Sequence, residues 1–307
     1  MAVNNSLVQK KQPFSVTINS DGYKKLINNT LREPKRADRF VASLVTAVSV
    51  NPALQECESS SLVSAALLGE TLGLSPSPQL GQFYMVPFDN KKRGIKQATF
   101  QLGYKGYIQL AIRSGQYKKI NVLAIKEGEL VHYNPLEEEI EVNLIDDEIE
   151  RENAPTIGYY AMFEYTNGFK KSMYWSKQKM LKHADKYSQA FSLEATGGRY
   201  PKVSFADYEA GNYDKSTEWQ YSSFWYKDFD AMALKTMLRQ IISKWGIMSI
   251  DMQNAIEKDE AIIREDGSAD FIDISGEEVE TPAQPVIDAE TGEMISGGDA
   301  AEEFFQQ

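Results

Sequence analysis

The chain has 307 residues, 42% hydrophobic and 25% charged, with a formal net charge of −11. No stretch approaches the roughly eighteen apolar residues of a membrane span, and the opening MAVNNSLVQKKQPF lacks the apolar core of a secretory signal, so a cytoplasmic location is expected. A lone Cys57 cannot form an internal disulfide, and two histidines, His132 and His183, exclude zinc spacings of the CxxC or HExxH kind.

The acidity is unevenly spread. Residues 251–307 hold seventeen acids against Lys258 and Arg264, and 127–152 hold eleven against Arg151. The rest of the chain sums to +14, a basic body with an acidic insert and an acidic tail.

In chain order, residues 1–33 are polar with little periodicity and read as an N-terminal arm. RADRFVASLVTAVSV has helical apolar spacing and ends at Asn51-Pro52. A second helix follows, capped by Ser59 or Ser60 and stopped by Gly73, its Ser and Ala content suggesting close packing. QFYMVPF and ATFQL read as two strands around DNKKRG. Residues 103–114 fit a helix, with Lys105, Gln109 and Arg113 on one face. The strand INVLAI leads into the acidic insert. IGYYAMFEYTNGFKKSMYW is the best hairpin signal, with Asn167-Gly168 fitting a type I′ turn. Ser176 caps a basic helix with Lys177, Lys179, Lys182 and Lys186. After a glycine-rich and aromatic loop, 218–246 reads as one long helix ended by Gly246. The expected class is α+β: a small antiparallel sheet with hairpins packed against helices, one of them long and C-terminal. A core at 34–250 precedes an acidic tail, 251–307, expected to be disordered or to bind a partner.

No Gly-Lys dipeptide and no GxGxxG occurs, so standard nucleotide-binding loops are absent. No cofactor is expected. A two-metal nuclease needs convergent carboxylates, but the insert's acids form a dense run that reads as a solvated face. Asp228 and Asp230, two apart on a helix, diverge by about 200°; Asp228 falls between Lys235 and Arg239 in projection and could pair with or orient Lys235. Phosphate tracking instead requires spaced positive charge with stacking faces between. Residues 90–120 hold eight bases and three tyrosines with no acid. The late helix adds Lys235 and Arg239 on a face with Thr236 and Ser243, opposite an apolar stripe through Leu234, Met237, Leu238, Ile241 and Trp245. The loop adds Arg199 and Lys202. A solvated helix face with core tyrosines stays open beside a DNA groove.

The succession NPALQECESSSLVSAALLGETLGLSPSPQLGQFYMVPF, then FQLGYKGYIQLAIRSGQY, then DFDAMALKTMLRQ resembles the RecT family of phage and prophage single-strand annealing proteins over about residues 35–250. The resemblance implies a non-enzymatic, ATP-independent recombinase that coats single-stranded DNA and anneals it to its complement. It implies a compact α+β core with a bent sheet and a long helix, assembled as rings or helical filaments around a basic groove. Implied partners are single-stranded DNA, the annealed duplex intermediate, other copies of the chain, a 5′ to 3′ exonuclease and the host single-strand binding protein. The matching positions place Lys105, Arg113, Lys235 and Arg239 on phosphates; Lys177, Arg199, Lys202 and Lys227, chosen for their charge and not for a family match, are expected as a second rank. Tyr104, Tyr107 and Trp175 are either base or sugar contacts or core. The alternatives from other classes are a metal-dependent nuclease and an assembly protein without DNA.

Overall fold

A computed structural model describes residues 12–271 apart from Lys92 and Gln189, together with the backbone of two short strands near the C-terminus. Helices α1 (Phe14–Thr17), α2 (Asp21–Leu31), α3 (Pro34–Ser49), α4 (Pro52–Gln55) and α5 (Ser59–Thr71) precede strands β1 (Phe83–Asn90) and β2 (Ile95–Leu102). Then come α6 (Tyr104–Arg113), β3 (Tyr117–Lys126), β4 (Leu130–Asn134), β5 (Glu139–Val142), α7 (Glu148–Asn153), β6 (Thr156–Tyr165), β7 (Lys170–Ser176) and α8 (Lys177–Tyr187). Last come α9 (Phe205–Glu209), α10 (Phe224–Lys227), α11 (Phe229–Trp245), α12 (Ile250–Glu257), β8 (Ala261–Ile263), β9 (Ala269–Phe271), and the pair β10 (Val286–Ile287) and β11 (Met294–Ile295).

The α+β expectation holds, with two antiparallel sheets at its centre. One has the order β1-β2-β8-β9, the other β3-β6-β7, and β4 and β5 form a separate hairpin. Helix α5 lies on the first sheet and is buried without interruption from Ser61 to Leu67. A helix enclosed on all sides tolerates Ser only when its hydroxyl is used; Ser61 accepts from the Ala98 amide of β2 at 2.8 Å. Helix α11 covers the second sheet. There β6 alternates as its sequence requires, with Tyr159, Ala161, Phe163 and Tyr165 turned inward. Met237, Leu238, Ile241 and Ile242 of α11 are buried, each worth about 1.5–3 kcal/mol on transfer from water.

Several expectations change. Residues 14–31, read as part of an arm, hold two helices, and Ile18, which caps the first, is buried in the common core with Ile27 and Leu31 of the second. The hairpin turn is not type I′: Gly168 alone of the loop has a left-handed φ, +88°, and its amide donates to Tyr165 at 3.0 Å. This is a three-residue loop, Thr166 to Gly168, in which Asn167 and the β-branched Thr166 keep negative φ and glycine takes the left-handed position. The long helix is shorter, because residues 215–221 form a 3₁₀ segment and the chain breaks again at Asp228, φ −151°. Asp228 accepts from the Ala231 amide at 3.0 Å and caps α11, so its expected pairing with Lys235 does not occur. The opposite-stripe picture of α11 also fails, since Thr236 is buried and Trp245 is exposed. Finally, 250–271 is built into the core: β8 pairs with β2, and Asp259 is 3% exposed. The disorder expected further along the tail lies outside the described residues.

Candidate nucleic-acid interface

The motif GYKGY owes its glycines to packing. A Cβ on Gly103 would lie 2.2 Å from the Gly81 carbonyl oxygen, and one on Gly106 would lie 2.0 Å from that of Gln82. Both glycines thus let the start of α6 sit directly on the chain leading into β1, where the Gly103 amide donates to Gln82 at 2.8 Å. The consequence is positional: Lys105 is held at the surface beside Gly81 and the half-exposed Tyr84. Arg113, two turns further and about 12 Å along the axis, shares this exposed face.

The two bases differ in employment. Lys105 has no carboxylate partner among the described residues. Arg113 donates from Nη2 to the Leu72 carbonyl at 2.6 Å, closing the C-terminus of α5 where carbonyls lack helical partners. Helix α11 packs against α6. Lys235 is partly buried and free of ion pairs among the described residues. Arg239 lies 3.5 Å from both Asp259 and Glu260. Asp259 also accepts from Tyr107 Oη at 2.8 Å and from the Leu102 amide at 2.8 Å. Burial first, and the adjacent Asp259 carboxylate second, push the Tyr107 phenol well above its ordinary range, so it remains a donor. Tyr107 is 0% exposed and offers no face to a base within this chain. Tyr104 is half-buried against the core.

Of the second-rank residues, Lys177 and Lys202 come together at another place. Lys177 pairs with Glu209 at 3.3 Å and lies 6.0 Å from the Phe229 ring centre. Lys202 donates to the Ala190 carbonyl at 2.8 Å and sits 5.3 Å from the Tyr226 ring. Both edge an aromatic cluster of Phe191, Phe205, Tyr226 and Phe229. Lys227 is exposed without an ion pair among the described residues, and Arg199 lies over Tyr200, 5.4 Å from its centre. Trp175 is buried to 8% exposure, mostly core.

Sequence reasoning named Lys179 and Lys186 among the bases of α8 but passed over His183 and Lys244 beside them. Lys179, His183 and Lys186 fall on one face of α8, and Lys244 approaches from α11. Burial first, then the charges of Arg239, Lys244, Lys186 and Lys179, lower His183 to about 4, so the imidazole is neutral at pH 7. The helical spacing was available as a signal; the approach of Lys244 was not. Asp230 is likewise committed, accepting from Thr156 at 2.7 Å and Tyr159 at 2.5 Å. In the acidic insert, Glu129 is fully buried and paired with Arg151 at 2.6 Å, fastening the β4 and β5 hairpin to its flank. Among the described residues no group of three or more His, Cys, Asp or Glu is placed to hold a metal, and no helix is long and apolar enough to cross a membrane.

A family model described as the RecT family matches residues 38–273. An uncharacterized protein, YqaK of Bacillus subtilis (strain 168), is 40% identical over 256 residues, 83% of this chain and 72% of that protein. Protein RecT of Escherichia coli (strain K12) is 28% identical over 245 residues, 79% of this chain and 78% of that protein.

Proposed function

Because the chain belongs to the RecT family, we propose that it holds single-stranded DNA by its backbone and anneals it to a complementary strand without nucleotide hydrolysis, working as an oligomer. Family membership itself implies single-strand annealing in recombination, by annealing proteins rather than catalytic enzymes. The finer reading is supported above all by one observation: Lys105, Lys227 and Lys235, on three separate helices, carry no ion pair among the described residues, while Arg113 and Arg239 are tied to the protein. Free cations on rigid elements can exchange counterions for phosphates, and a protein that leaves the bases unread lets pairing choose the second strand. Repetition of such sites along an oligomer makes each later contact intramolecular, so single subunits can bind weakly.

The nuclease alternative loses its best carboxylates, since Asp228 caps a helix and Asp230 is held by Thr156 and Tyr159. A partner exonuclease and the host single-strand binding protein remain proposals from the resemblance, with the acidic C-terminal segment as the handle. The test is a gel-shift and annealing assay in EDTA without nucleotide. Annealing should persist, no strand should be cut, and Lys105→Ala and Lys235→Ala should each lower the salt slope of binding by about 0.7, alike for all sequences. Unchanged affinity and slope in both variants would remove these lysines from the strand's path.

A further inference from the structure

Strand β7, helix α8 and the end of α11 come together around a run of rings and cations. Three rings run across it: Trp175 to His183 at 5.3 Å between centres, and His183 to Tyr187 at 4.6 Å. Lys179 Nζ lies 4.4 Å from the Trp175 ring centre, and Lys186 Nζ lies 5.0 Å from that of Tyr187. The run is graded in exposure, from Trp175 at 8% to Tyr187 at 52%, so its inner end anchors and its outer end is open to a ligand. α8 is set by the Ser176 cap and by Met180, Leu181 and Ala184, which bury its opposite face. The lysines are therefore projected from a rigid element.

The charges around these rings are of one sign. Lys179 and Lys186 come from α8, and Lys244 from the last turn of α11; none of the three makes an ion pair among the described residues. Asp185, the only acid of α8, accepts from the Leu193 amide at 2.8 Å and is spent on the following loop. Burial first, then Lys244, lowers Lys179, and the same group of cations contributes to holding His183 neutral. Uncompensated like charges repel one another by an amount that a bound anion removes. Rings between the cations narrow the choice of anion, because a base attached to a phosphate can use both at once.

We propose that the corner of α8 and α11 is a nucleotide subsite for the bound strand, with Lys179, Lys186 and Lys244 neutralising phosphates and Tyr187 stacking on a base. Trp175 is then a support beneath the subsite, through His183, and not itself a stacking face. This subsite rests on the strand-binding reading above and extends it to residues of α8 and the end of α11.

The full-length chain is tested with a fluorescent oligothymidylate. Lysine acetylation read by mass spectrometry, with and without the oligonucleotide, should show Lys179, Lys186 and Lys244 protected while the exposed Lys24 and Lys35 stay reactive. The triple variant Lys179→Gln, Lys186→Gln, Lys244→Gln should lose about 2 from the salt slope, three contacts at roughly 0.7 each. Tyr187→Leu should bind about tenfold more weakly and Tyr187→Trp close to wild type, as stacking requires. If the wild-type chain binds the oligonucleotide yet these three lysines stay reactive and a folded triple variant keeps its slope, the subsite is wrong and the strand lies elsewhere. If the wild-type chain binds no oligonucleotide, the strand-binding reading itself falls, and the subsite with it. Should the triple variant fail to fold, protection in the wild-type chain decides the matter alone.

Discussion

Lys105 and Arg113 stand on one helix face, yet only their surroundings separate a ligand-ready charge from a structural one. Arg113 satisfies the Leu72 carbonyl, and loss of a charge-assisted bond at an exposed site costs about 1 kcal/mol. Arg113→Ala should therefore lower the melting temperature by about 2–4 °C, whereas Lys105→Ala should leave it unchanged while weakening strand binding. Parallel thermal melts and binding isotherms check the pair. Arg239 and Tyr107 belong with Arg113: both were legible as a base and an aromatic, but the carboxylate that occupies them, Asp259, follows Tyr107 by 152 positions in sequence. No local pattern carries a partner so distant.

At the scale of elements, the sequence is most informative where one residue type meets one backbone requirement. Ser176, Gly73 and the alternation of β6 were readable because caps, left-handed turns and pleats are local rules. The turn at 166–168 and the break at Asp228 were not, since each depended on a choice among neighbouring registers that side-chain packing makes. The start of α6 is the sharpest case, because Gly106 reads as a weak helix residue and proves a contact point. Gly106→Ala should destabilise the protein by about 1–3 kcal/mol through overlap with the Gln82 carbonyl, reversing the usual gain from alanine in a helix. Gly22→Ala in α2, where a Cβ meets nothing within 4 Å, is the control and should be neutral or stabilising by up to about 1 kcal/mol. Urea denaturation of the two variants measures the contrast.

For the whole molecule, Asp259 is the tie between parts. It joins β2 through the Leu102 amide, α6 through Tyr107 and α11 through Arg239. Removing a buried partner leaves the remaining donors and charge unsatisfied, so Asp259→Ala should cost about 3–5 kcal/mol, seen as a large fall in the urea midpoint. Strand-binding loss in that variant would follow loss of fold, in contrast to Lys105→Ala. Residues 251–271 read as tail because acids dominate the composition of 251–307; burial of Asp259 and pairing of β8 reversed that reading for this part.

The sequence by itself determined the α+β class, the order of most elements, the segregation of charge and the family. These depend on periodicity, local caps, composition and ordered motifs, all of which are written along the chain. Only the tertiary structure decided which bases are free. A cation's availability depends on what lies within a few ångströms in space, and folding brought Leu72 to Arg113, Asp259 to Arg239, Glu209 to Lys177 and Lys244 toward α8 from residues far apart in sequence.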